Sequence, residues 1–165
     1  MSGRGTPALD AVRAAGVPHA VHEYETPASG RDRERRPRFG ADAAAALGVD
    51  PARVFKTLVA EVDCRLVAAV VPVSGELDLK ALAAAVGGRR AALADPAAAE
   101  RATGSVVGGI SPLGGRRRLP TILDASAFGH ATIFVSGGRR GLQVELAAAD
   151  LVRLVDGVEA PIARG

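Results

Sequence analysis

Lys56 stands apart chemically because this chain supplies positive charge almost entirely as arginine: of 21 Lys and Arg residues, only Lys56 and Lys80 are lysines. It lies in Val54-Phe55-Lys56-Thr57-Leu58-Val59, where strand alternation places Lys56 on one face with Val54 and Leu58. A compact ammonium there either enters a cleft or snorkels at a strand end. A second constellation is Gly108-Gly109-Ile110-Ser111-Pro112-Leu113-Gly114. Paired glycines let a backbone approach a ligand closely and aim N–H groups at a developing oxyanion, although an ordinary turn has the same composition. A third is Ser136-Gly137-Gly138-Arg139-Arg140-Gly141, which suits either phosphate contact by two guanidiniums or a hairpin turn with solvated charges. Arg116-Arg117-Arg118 and the run from Arg31 to Arg38 could extend a phosphate-facing surface, but charge runs are more often simply solvated.

Other chemistries lack their residues. The glycine segments contain neither a Walker loop nor a dinucleotide fingerprint. His19, His22 and His130 have no metal-ligand spacing, and the one cysteine, Cys64, cannot close an internal disulfide. No metal and no cofactor are expected. Ser111 has no nucleophile-elbow context, which argues against a serine hydrolase. Tyr24, the only tyrosine, is either a core edge or a pocket hydroxyl.

The elements that must position these residues fit one domain of 165 residues. Hydrophobic residues at 48% against 24% charged can fill a core, while 3% aromatics leave few rings for stacking on single strands. No apolar run approaches the ~20 residues of a membrane span, so a soluble, cytoplasmic protein is expected. The formal charge of +3 is compatible with a polyanionic partner.

Thr6-Pro7 through Ala15, closed by Gly16, has the sequence of a capped helix. Residues 17–24 look extended, and 26–40 form an Arg-rich surface loop. Helices are expected at 41–47, 79–86 behind Asp78, from Asp95-Pro96 to before Gly104, and at 148–155. Strands at 54–62 and 66–73 flank Asp63-Cys64-Arg65 as a hairpin, and further strands fall at 121–123, 131–135 and 141–146. Hairpins exclude a purely parallel doubly wound sheet. The expected fold is therefore mixed α/β: a single domain over residues 6–155 with a mixed parallel and antiparallel, barrel-like sheet surrounded by helices, and flexible termini at 1–5 and 156–165.

Taken together, Val54-Phe55-Lys56-Thr57-Leu58, Glu76-Leu77-Asp78-Leu79-Lys80, Ala94-Asp95-Pro96, Gly108 to Gly114 with Leu119-Pro120-Thr121, and Ser136 to Gly141 resemble the YbaK branch of the prolyl-tRNA synthetase editing-domain superfamily. The resemblance runs in unbroken order from about Thr6 to Leu154. It implies a compact α/β barrel-like fold and trans-editing: hydrolysis of misacylated tRNA, most characteristically Cys-tRNA(Pro). In this branch the substrate cysteine thiol attacks its own carbonyl and releases a thiolactone, so no protein nucleophile is needed.

The resemblance further implies that Lys56 orients the substrate and stabilises charge, and that the backbone around Gly108 and Gly109 receives the oxyanion. Tyr24, Thr57, Ile110 and Ser111 would line the pocket, and Ser136, Gly137 and Gly138 would form another wall. Arg139, Arg140, Arg116 and Arg117 would meet tRNA phosphates. The implied partners are the tRNA(Pro) acceptor end and prolyl-tRNA synthetase, with no DNA and no membrane. The sequence departs from the branch at Gln143, where some relatives carry an acid, and at Ser105, where a tyrosine is common. Removal of alanine, serine or an analogue, or non-catalytic binding of the acceptor end, are the competing readings; oligomeric state is not legible.

Overall fold

The computed structural model describes residues 5–25, 39–105, 109–115 and 118–164. Its first element, helix α1 (Pro7–Ala15), forms where the sequence places its caps: Thr6 Oγ1 accepts from the Leu9 N–H at 3.1 Å and Gly16 closes the helix at φ 70°. Its inward face is Ala8, Leu9 and Val12. Full burial of side chains the size of Leu9 and Val12 stabilises the fold by about 1.5–3 kcal/mol each.

Strand β1 (His19–Glu23) and helix α2 (Phe39–Leu47) precede the longest hairpin, β2 (Phe55–Val62) and β3 (Arg65–Pro72). These two pair antiparallel from Phe55↔Pro72 to Val62↔Arg65. The turn is only Asp63 and Cys64, both at positive φ (49° and 71°), so Arg65, expected in the turn, is already in the strand. The Asp63 carboxylate accepts from the Arg89 and Arg90 N–H groups at 2.9 and 3.0 Å, which ties this tip to the chain beyond the next helix.

Further along come β4 (Glu76–Leu77), α3 (Leu79–Ala85), β5 (Ala91–Leu93) and α4 (Pro96–Thr103). Asp78 and Asp95 cap the two helices by accepting from Ala81 N and Ala98 N at 3.1 and 3.3 Å. The chain ends with β6 (Thr121–Asp124), β7 (Ile133–Ser136), β8 (Leu142–Leu146), α5 (Ala148–Val155), β9 (Val158–Ala160) and β10 (Ala163–Arg164).

A five-stranded mixed sheet has the order β5-β2-β3-β6-β9, a three-stranded sheet the order β1-β8-β7, and β10 pairs with β4. One parallel bridge, Val54↔Phe134, brings β7 alongside the start of β2. The result is the expected mixed α/β arrangement, as two sheets that meet where β7 runs beside the start of β2, not a continuous closed barrel.

Alternation on β2 divides the core. Ala60 and Val62 share a cluster with Val71, Ile122 and Leu82 under α3, whereas Val59 packs with Ala68, Ala99, Ile110 and Leu119 under α4. Residues beyond 155, expected as a flexible tail, are instead built into the fold through residue 164. The β9 strand pairs parallel with β6, β10 pairs with β4, and Ile162 is fully buried. The cause is a distant carboxylate: Asp124 Oδ1 accepts from both Ile162 N and Ala163 N at 2.9 Å. Of the Arg-rich loop expected over 26–40, residues 26–38 lie outside the described residues, as do residues 1–4, while Phe39 and Gly40 already belong to α2.

Candidate active site

Val54 and Phe134, paired at the bridge, pack with Ala43, Ala44 and Tyr24. Two residues further along each strand, on the same face, stand Lys56 on β2 and Ser136 on β7. Ser136 pairs in register with Gln143 on β8, and Gln143 with His22 on β1. Lys56, Ser136, Gln143 and His22 therefore share one face across the junction of the two sheets, with Tyr24 beside it; the Tyr24 N–H donates to Gly141 O at 3.0 Å. Lys56 is half-buried and, among the described residues, its ammonium has no ion-pair or hydrogen-bond partner.

After the single bridge, the 109–115 loop ties β7 to the five-stranded sheet. The Ser136 hydroxyl donates to Gly109 O at 3.0 Å and accepts from Gly138 N at 3.1 Å. Gly109 lies so close to the next turn that a Cβ would stand 2.8 Å from Arg139 Cα and 2.9 Å from Arg140 N. On the other side, Ile110 is buried with Val59 and Ala68. Gly114, at φ +64°, abuts the Pro7 carbonyl, and the Thr6 hydroxyl donates to Gly137 O, so α1 braces both glycine segments.

Thr57 follows Lys56 and therefore points to the opposite face. There it lines a cavity of about 250 Å³ together with Ser111, Thr103, Thr121, Arg118 and Leu119. Ser111 Oγ accepts from Leu113 N at 3.1 Å, and Thr57 Oγ1 is buried with no hydrogen-bond partner. The residues expected to share one pocket thus fall into two groups: Lys56, Tyr24 and Ser136 on one face, Thr57 and Ser111 on the other, with the 109–115 loop bordering both. Gly137 is buried against Leu142, while Arg139 and Arg140 are exposed at the turn, with Arg139 4.0 Å from Glu23. Gly108, Arg116 and Arg117 lie outside the described residues.

Residues 39–154 match the profile of the aminoacyl-tRNA editing domain. The chain belongs to the aminoacyl-tRNA editing domain family. It is 40% identical over 120 residues, 72% of this chain and 73% of the relative, to EbsC of Enterococcus faecalis (strain ATCC 700802 / V583), a proposed Cys-tRNA(Pro)/Cys-tRNA(Cys) deacylase. The crystal structure of a proposed trans-editing enzyme for prolyl-tRNA synthetase superposes with a TM-score of 0.80 at 26% identity, covering 96% of each chain. The hypothetical protein APE2540 shares the fold, with a TM-score of 0.83 at 22% identity over 96% of this chain and 100% of its own.

Two features of this editing domain were not assigned to the site from sequence. Gln143, noted from sequence only as a departure from the branch, is 6% exposed and its Oε1 has no hydrogen-bond partner among the described residues; the missing partner is what marks it as a site residue. The second is a cluster around Glu145, which accepts from Thr132 Oγ1 at 2.5 Å and lies 2.9 Å from His22 Nε2 and 3.5 Å from Arg53 Nη2. The Thr132 hydrogen bond above all, then His22 and Arg53, holds its carboxyl below the usual range against the opposing effect of burial. The Arg53 guanidinium also sits 5.1 Å from the Phe134 ring centroid. This cluster anchors Phe134, and with it the bridge that sets the Lys56 and Ser136 register. No group of His, Cys, Asp and Glu suited to a metal ion occurs among the described residues, and no helix there is long and apolar enough to cross a membrane.

Proposed function

We propose that this protein is an aminoacyl-tRNA deacylase that removes cysteine from mischarged tRNA(Pro), using the thiol of the substrate itself. The observation that carries the reading is an ammonium at Lys56 with no partner among the described residues, near serine hydroxyls that no histidine there hydrogen-bonds. Ser136 donates to a backbone carbonyl and Ser111 accepts from a backbone N–H, so neither stands against a histidine base as an activated nucleophile requires. The names of the relatives support the choice of ester and of amino acid.

In this scheme the tRNA acceptor end enters beside the 109–115 loop, and Arg139 and Arg140, with Arg116 and Arg117, meet its phosphates. The cysteinyl sulfur attacks the ester carbonyl, forming a C–S bond. Lys56 and the N–H groups around Gly108 and Gly109 stabilise the oxyanion. Collapse breaks the C–O bond to the ribose, the thiol proton passes to the ribose oxygen, and a cyclic thiolactone leaves and is opened by water to cysteine. Tyr24 and the Ser136 to Gly138 wall shape the side of the site that Lys56 faces, and the 109–115 loop, held to Ser136 through Gly109 O, borders it. Prolyl-tRNA synthetase is the natural partner, since so small a surface reads little of the tRNA body.

Serine differs from cysteine by oxygen for sulfur and is a far weaker internal nucleophile. Purified protein should therefore strip Cys-tRNA(Pro) at least about 100-fold faster than Ser-tRNA(Pro) or Ala-tRNA(Pro). Equal loss of cysteine and serine would overturn the thiol-assisted route, and no loss of any of the three would overturn the deacylase reading.

A further inference from the structure

We propose that the Gln143 side-chain carbonyl receives the α-ammonium of the aminoacyl ester and is a specificity-determining contact of the site. The inference rests on the aminoacyl-ester reading above. Gln143 is more than nine-tenths buried, yet its Oε1 has no hydrogen-bond partner. A buried acceptor left open costs stability, and such a group is retained where something outside the fold completes it.

The neighbours on its face cannot complete it from their engaged atoms. The hydroxyl of Ser136, directly across on β7, is donated to Gly109 O. His22, directly across on β1, has its Nε2 on Glu145. Lys56 is on the same face, yet among the described residues no donor, its ammonium included, hydrogen-bonds that oxygen, which leaves it open to a ligand.

The chemistry of that ligand follows from the row. Lys56, on the same face, offers a cationic donor to an oxygen, while Gln143 offers a neutral acceptor to an N–H. An aminoacyl ester carries this complementary pair on adjacent carbons, the carbonyl oxygen and the α-ammonium. A carboxamide oxygen accepts more strongly from a charged ammonium than from the neutral N–H of an acylated amine, so it favours the free amine.

The test is equilibrium binding of a non-hydrolysable mimic, 3′-deoxyadenosine carrying cysteine or alanine through a 3′-amide, against its N-acetyl counterpart. Wild type should prefer the free amine about tenfold, the scale of one hydrogen bond to a charged group. Gln143→Leu should erase that preference, and its Tm should not fall, because the change removes an unpartnered acceptor. Gln143→Glu should strengthen the preference and make it pH-dependent through the amine, which titrates near ~8. This pH signature decides the matter should the leucine variant fail to fold.

A Gln143→Leu protein that keeps the wild-type preference, a pH-independent Gln143→Glu, or a wild type that binds neither mimic or both alike, overturns the proposal. No hydrolysis is involved. A protein that leaves Cys-tRNA(Pro) intact yet shows the Gln143-dependent preference would refute the deacylase reading and retain this one.

Discussion

Glu145 shows how single side chains set the register on which the site depends. Thr132, His22 and Arg53 all favour its ionised form, so its folded pKa lies below the unfolded value. The contribution is therefore fully present above that unfolded value and disappears as pH falls through the folded one. Replacing Glu145 with Gln should lower stability by about 1 kcal/mol at neutral pH, a figure discounted for its partial exposure. In urea titrations, the gap between wild type and variant should close as pH falls below the ordinary carboxylate range and through the lowered folded value; a gap that persists there would mean that charge is not what Glu145 contributes. At this scale the sequence is uneven. Lys56 was visible because it is a lysine in an arginine-rich chain. Gln143 was visible only as a departure from the branch and the Glu145 cluster not at all, since their meaning lies in a missing partner and in partners far along the chain.

Elements carry the site by holding two glycine segments against α1 and each other. Gly109 has backbone neighbours where a Cβ would stand, and backbone cannot rotate aside. Gly109→Ala should therefore cost about 1–3 kcal/mol by overpacking, and should slow deacylation by displacing the loop that Ser136 holds. A variant with unchanged Tm and turnover would show that the contact is not rigid. The helices were legible where caps are local: Thr6, Asp78 and Asp95 lie at the positions that start α1, α3 and α4. The β2–β3 hairpin was legible from two apolar runs. The short strands β4, β5, β9 and β10 were not, because two or three residues have no periodicity. The C-terminal pair depends on Asp124, 38 residues before Ile162. Alternation correctly predicted that Lys56 and Leu58 share a face. The consequence that Thr57 then faces a different cavity emerged only once both faces were seen to be covered.

For the whole molecule, the relevant quantities are a small net charge of +3 and its placement. Exposed Arg139 and Arg140 flank the wall formed by Ser136 to Gly138. Affinity for tRNA should fall steeply with salt, and Arg139→Ala should lower the slope of log Kd against log salt by about 1. A slope unchanged by that substitution would remove the turn from the phosphate surface. The central claim is chemical, however, and concerns Lys56. Lys56→Ala should slow single-turnover release of cysteine from Cys-tRNA(Pro) by about 100-fold, the scale of losing one oxyanion donor, while the Kd for tRNA stays within about threefold of wild type. Undiminished turnover in Lys56→Ala, or a defect wholly in Kd, would contradict the account.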